Sequence, residues 1–299
     1  MEKGRTTVTT SLARLAGAVA LSAACASPSA PAATPLAAAT PANTLSFAPL
    51  QTPSRDPGPT ATPAGRGLRP EAPEYCVAPE KGQPQDIVGT PASPYFVRHP
   101  MEDNPDAPTI VFLGGGSGNR RSAQRVWTNY LSGGGGVDDF RVVLPYSLDV
   151  EYYDYYEAQR TFKVVDEVLA CYGGDAAQVH LAGFSNGGYV AFELMLKRPD
   201  RFATLLGAPG LFPQPTPPQQ WGKALRGRAV FNGVGSQDDD WKQDVRTTHE
   251  GLLKMGIESV YVEFEGQRHS LSEAFDETVF FDFWRAHGPD EATNAPKAQ

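Results

Sequence analysis

From residue 76 onward, short runs of consecutive apolar residues alternate with longer stretches in which apolar positions recur every three or four residues. Runs of the first kind suit strands buried on both faces of a parallel sheet, and stretches of the second kind suit the helices that cover it. The predicted strands are 95–98, 109–113, 141–144, 179–182, 204–206, 229–234 and 259–264; the predicted helices are 122–131, 157–171, 188–197, 242–255 and 276–285. This is the βαβ rhythm, so the expected fold class is α/β: a mostly parallel sheet with helices on both faces, in one domain spanning 76–288. No repeat of solenoid type interrupts it.

The chain before residue 76 has a different texture. Residues 26–75 are rich in Ala, Pro and Thr, with eleven prolines between 27 and 74 and few bulky apolar side chains. Such a segment cannot bury enough surface to offset the entropy of ordering and is expected to be an extended, solvated tether. Residues 289–299 read as a short disordered tail.

Residues 1–25 read as an export signal: Lys3, Arg5 and Arg14 supply positive charge ahead of and within a short apolar run, 12–24, that ends in small residues. That run is too short to span a bilayer. Leu21-Ser22-Ala23-Ala24-Cys25 resembles the bacterial lipobox, whose cysteine becomes lipidated, with Ser22 where that pattern prefers Leu. The expectation is an exported lipoprotein anchored through Cys25; the alternative is an ordinary cleaved signal and a secreted chain. Of the three cysteines, acylation of Cys25 would leave Cys76 and Cys171 as a disulfide pair or as two buried thiols.

Charge narrows the list of partners. With 26 Lys+Arg against 34 Asp+Glu, the formal charge is −8, which gives no electrostatic footprint for nucleic acid or an anionic membrane surface. Membrane contact is expected only through the lipid anchor. No feature speaks to oligomeric state.

The chemistry centres on Gly183-Phe184-Ser185-Asn186-Gly187, a G-x-S-x-G pattern that follows a predicted strand and opens a predicted helix. A sharp strand-to-helix turn there would lift Ser185 Oγ above the sheet, and Gly183 and Gly187 supply the missing side chains that such a turn requires. The plain alternative is a serine in an ordinary glycine-rich βα turn. A serine hydroxyl attacks only with a base in reach and a carboxylate holding that base. His269, in the loop after the last predicted strand, is the candidate base. His99 and His180 precede the serine, with His180 on a core strand; His249 falls inside a helix and His287 near the chain end.

Asp238 is the candidate acid, with Asp239 and Asp240 left as alternatives, because the loop after 229–234 delivers all three to the same rim. Gly114-Gly115-Gly116-Ser117-Gly118 follows another strand and can expose bare N–H groups, so Gly116 and the Asn186 N–H are the candidate oxyanion hole. No G-x-x-x-x-G-K-[ST] and no complete G-x-G-x-x-G is present, so that loop is not read as a nucleotide cradle, and no metal and no cofactor is expected.

The run Val179-His180-Leu181-Ala182-Gly183-Phe184-Ser185-Asn186-Gly187-Gly188, followed by Arg198-Pro199-Asp200-Arg201-Phe202, resembles the α/β-hydrolase superfamily, and within it the exported serine esterases that include feruloyl esterases and polyhydroxybutyrate depolymerases. The resemblance covers 95–285. It implies that fold, a Ser185–Asp238–His269 triad, and a small-molecule or polymeric ester as substrate. Relatives show His-Gly where this chain has Gly114-Gly115. Tyr146, Tyr152, Tyr153 and Trp221, from two loops on the expected rim, are candidate substrate contacts. The competing readings are a peptidase on the same scaffold and a non-catalytic binding lipoprotein.

Overall fold

The computed structural model describes residues 71–133, 136–148, 155–212, 218–272 and 275–288, all within the compact unit Arg66–Gln299. Cys25, the export signal, nearly all of the proline-rich tether, the tail, and Tyr152 and Tyr153 lie outside the described residues.

In chain order the strands are β1 (Gln85–Ile87), β2 (Tyr95–Arg98), β3 (Thr109–Leu113), β4 (Arg141–Pro145), β5 (Val179–Gly183), β6 (Thr204–Gly207), β7 (Ala229–Gly235) and β8 (Ser259–Phe264). The helices are α1 (Arg120–Val126), α2 (Tyr155–Tyr172), α3 (Asn186–Lys197), α4 (Pro218–Ala224), α5 (Lys242–Lys254) and α6 (Thr278–Ala286). All the strands join one sheet in the order β1-β2-β4-β3-β5-β6-β7-β8; β2 runs antiparallel to β1 and β4, and β3 to β8 are parallel.

Each apolar run becomes a strand because its alternate residues fill two different cores. On β3, Val111 and Leu113 face one layer with Val164, Val168, Leu194 and Leu252, while Ile110 and Phe112 face the other with Val126, Phe280 and Trp284. Thus α2 to α5 cover one face and α1 and α6 the other. A strand buried on both sides has no use for polar alternation, which is why these segments read as continuous apolar runs.

Three local features depart from expectation. β1 was not expected; it is three residues long and sits at the sheet edge. The predicted helix 122–131 is α1 followed by a π-helical turn, Trp127–Leu131. The rim loop expected to present Trp221, residues 208–221, runs at its end into α4, opened by Pro218, whose missing N–H costs nothing in a helix's first turn. Cys76 and Cys171 form a disulfide with Cα atoms 5.4 Å apart, tying the segment before β1 to the last turn of α2 across a separation of 95 residues.

Candidate active site

The turn after β5 is strained. Ser185 has φ 57° and ψ −122°, and among the described residues it alone has a positive φ without being glycine. Such a backbone costs on the order of 1–3 kcal/mol and persists only where its surroundings over-determine it. They do so here by crowding: a Cβ on Gly183 would lie 2.1 Å from the Gly187 carbonyl oxygen, and one on Gly187 would lie 2.3 Å from the Leu113 oxygen. The Phe184 N–H donates to Leu113 O (3.0 Å), the Ser185 N–H to Pro209 O (2.9 Å), and the Tyr189 N–H to Ser185 O (3.0 Å), where α3 begins.

The loops after β7 and β8 carry the partners, and they brace each other. The Gln237 N–H donates to Gln267 O and the Gly266 N–H to Ser236 Oγ, both at 2.9 Å. A Cβ on Gly235 would lie 2.3 Å from the Arg268 carbonyl oxygen, so bare backbone is required for this approach.

Across the joined loops, Asp238 Oδ2 accepts from His269 Nδ1 at 2.9 Å, and His269 Nε2 lies 2.8 Å from Ser185 Oγ. A carboxylate only accepts, so the proton sits on Nδ1 and Nε2 is left to accept from the serine hydroxyl. The Asp238 side chain is 4% exposed and that of His269 38%. Asp239 and Asp240 are exposed, and Asp239 pairs with Lys242, so of the three aspartates Asp238 is the one that meets the histidine.

The glycine loop after β3 approaches this centre. A Cβ on Gly115 would lie 2.6 Å from the Phe184 ring and 3.2 Å from Ser185 Cβ. Asn186 Nδ2 donates to Gly116 O at 3.0 Å, and Gly116 adopts φ +64°.

Aromatic rings that the sequence did not single out enclose the imidazole. Phe184 and Trp241 lie 5.2 and 5.3 Å from His269 by ring centroids, and Tyr189 lies 4.8 Å from Trp241. Tyr130, from the π-helical turn, is buried against Phe112, Phe184 and Phe275, and its hydroxyl accepts from the Leu271 N–H, two residues past His269. Burial, and secondarily the Asp238 carboxylate, hold the Tyr130 phenol well above its ordinary range. Phe184, Tyr189 and Trp241 each stand within four residues of Ser185 or Asp238, a proximity that could have marked them.

Two expected substrate contacts are corrected. Tyr146 is fully buried in the core, and its hydroxyl donates to Asp86 instead of facing a cleft. Trp221 lies in α4, stacked on Phe212 with centroids 4.2 Å apart, and belongs to the core on the α2 to α5 face. Both are large aromatics whose burial contributes more than a position on the rim would.

Of the other histidines, His180, His249 and His287 have hydrogen-bond partners, and His99 packs edge-on against the Tyr172 ring at 4.5 Å. His180 Nδ1 meets Thr204 Oγ1 at 2.9 Å, and burial lowers its pKa to about 3. His99 is lowered to about 4 by burial and then by Arg141 and Arg98. His249 meets Ser259, and His287 bridges the Phe283 carbonyl and Glu258.

No family model and no curated protein matches the chain. Solved structures do. A mutant of the feruloyl esterase module of Clostridium thermocellum, complexed with sinapinate, superposes with a TM-score of 0.53 at 15% identity, over 71% of this chain and 90% of that one. A substrate-bound fluorophosphonate-binding serine hydrolase of Staphylococcus aureus gives 0.51 at 15% identity, over 70% and 100%. An S-formylglutathione hydrolase of the same organism gives 0.51 at 16% identity, over 69% and 98%. At these identities the likeness is one of fold.

Proposed function

We propose that this chain, whose fold is that of the α/β hydrolases, is a serine hydrolase that cleaves carboxylic esters through an acyl-enzyme. The observation that carries the reading is the unbroken relay from Ser185 Oγ through both nitrogens of His269 to Asp238, built on a strained turn. Ordinary folding gives no reason to keep a serine at positive φ with its hydroxyl on an imidazole.

In this reading Ser185 Oγ attacks the ester carbonyl as its proton passes to His269 Nε2. Asp238, already bonded to Nδ1–H, stabilises the imidazolium, and the backbone N–H groups of Asn186 and Gly116 receive the oxyanion. The imidazolium returns its proton to the leaving alcohol. Water, deprotonated by the same nitrogen, then attacks the acyl carbon, and the carboxylic acid leaves as Ser185 regains its hydrogen.

The ring faces of Phe184, Trp241 and Tyr189 support an acyl group of aromatic or extended apolar character. Export and anchoring through Cys25 remain part of the proposal, and the Cys76–Cys171 disulfide supports an oxidising compartment.

The test is pre-steady-state turnover of nitrophenyl acetate, butyrate and hydroxycinnamate, of hydroxybutyrate oligomers, and of aminoacyl anilides. A nitrophenol burst of about one equivalent, with esters turned over far faster than anilides, is expected. Faster anilide cleavage would make the chain a peptidase, and absence of turnover would make it a binding protein.

A further inference from the structure

Within the glycine loop that is to supply one oxyanion donor, the Gly118 N–H donates to Gly115 O at 3.4 Å, a long bond that leaves the Gly116 carbonyl to other partners. Gly116 and Gly118 both adopt positive φ, at +64° and +67°, a region that glycine enters freely and leaves as freely. At its far end the loop is fastened: the Ser147 N–H donates to Gly118 O at 3.1 Å, Asn119 Nδ2 to Ser117 Oγ at 2.8 Å, and Asn119 Oδ1 caps α1 by accepting from the Ser122 N–H at 3.1 Å. At its near end, beside Ser185, the side chain of Asn186 reaches across and donates to Gly116 O at 3.0 Å.

Resting on the serine-hydrolase reading above, we infer that the Asn186 side chain is a positioning residue that sets the glycine loop's oxyanion donor against the donor on its own backbone. A peptide is planar, so fixing the Gly116 carbonyl fixes the plane of the following peptide and confines the rotation of Gly116 that aims its N–H. One residue thereby links both arms of the hole: its backbone N–H belongs to the elbow, and its side chain tethers the opposite loop. The link needs a donor. Aspartate would set carboxylate oxygens against a carbonyl oxygen, acceptor facing acceptor, and push the loop away. Alanine would leave the loop free with the elbow's own N–H intact.

The experiment compares wild type with Asn186→Ala and Asn186→Asp, all checked for unchanged melting temperature. It measures ester kinetics together with inhibition by an aryl trifluoromethyl ketone and by the product carboxylate. In the ketone adduct Ser185 Oγ adds to the carbonyl carbon, its proton passes to His269 Nε2, and the ketone oxygen becomes the oxyanion.

Misplacing a catalytic donor by about 1 Å costs up to ~100-fold. Asn186→Ala is therefore expected to lower kcat by about 10- to 100-fold with KM changed little, and to weaken the ketone by a similar factor while product inhibition holds. Asn186→Asp should fall at least as far. Should either variant melt early, Asn186→Ser, which retains a shorter donor, is expected to lie between wild type and alanine.

Wild-type kcat and ketone affinity in the Ala and Asp variants would overturn the inference, as would a rise in KM alone. A wild-type chain that forms no ketone adduct and cleaves no ester would instead overturn the reading on which it rests.

Discussion

At the residue scale the decisive groups are few, and each has a distinct physical reason for its place. In the proposed mechanism Asp238 acts by holding His269 in one tautomer. Asp238→Asn would present an amide that can donate to Nδ1, turning the acceptor nitrogen away from the serine, and is expected to lower kcat by about three to four decades with KM little altered. Asp239→Asn and Asp240→Asn, on exposed side chains, are expected within about twofold of wild type. Steady-state kinetics on the three variants check this. The sequence supplied Ser185 and His269 through pattern and position, but three adjacent aspartates differ only in where a turn aims them. That turn, with the Trp241 N–H donating to Asp238 O, is a property of the folded loop.

Two buried histidines predict how stability responds to acid. His180 and His99 stay neutral in the fold, with pKa values lowered to about 3 and about 4 from 6.5. Below pH 6.5 the unfolded chain takes up protons that the native chain refuses, so stability is fully present above that pH and is lost progressively as pH falls toward 4 and then 3. Melting temperatures measured from pH 7 to pH 4 should fall, and the slope should be shallower in His180→Asn. An unchanged slope in that variant would assign the acid sensitivity to other groups.

At the element scale, what was legible was whatever a doubly buried strand imposes on its residues. Segments 95–98 and 109–113 coincide with β2 and β3, buried at every position, and 259–264 coincides with β8, an edge strand that is half-buried but six residues long and rich in Val and aromatic side chains. β1 escaped because its three residues, Gln85, Asp86 and Ile87, form an edge with only Ile87 buried. The element α4 escaped because five prolines fall between 208 and 221, four of them at 213–218, although a proline at a helix's first position is no obstacle.

Tyr146 and Trp221 were misplaced for a related reason: membership of a rim loop does not say which way a side chain turns. Trp221→Ala is expected to destabilise the fold by about 3–5 kcal/mol while the folded fraction keeps its kcat. Trp241→Ala, beside His269, is expected to lower kcat with a much smaller change in stability. Denaturant unfolding alongside kinetics separates the two tryptophans.

At the scale of the whole molecule, the sheet gathers at the carboxyl ends of β5, β7 and β8 three side chains far apart in the chain, the arrangement that open α/β sheets favour for binding and chemistry. At α2, the Cys76–Cys171 bridge closes a loop of about 95 residues. Loop-closure entropy puts the contribution of such a bridge at about 4–5 kcal/mol, less any strain. Reduction should therefore lower the melting temperature and leave the site's chemistry intact in the molecules that remain folded; an unchanged melting temperature after complete reduction would contradict this.

The central claim is that Ser185 is a nucleophile activated by His269, and intact-mass analysis after treatment with a fluorophosphonate probe tests it most directly. Wild type is expected to gain one probe mass, mapped by peptide sequencing to Ser185, with Ser185→Ala unlabelled and His269→Ala labelled orders of magnitude more slowly. Labelling of Ser185→Ala at the wild-type rate and stoichiometry would contradict it.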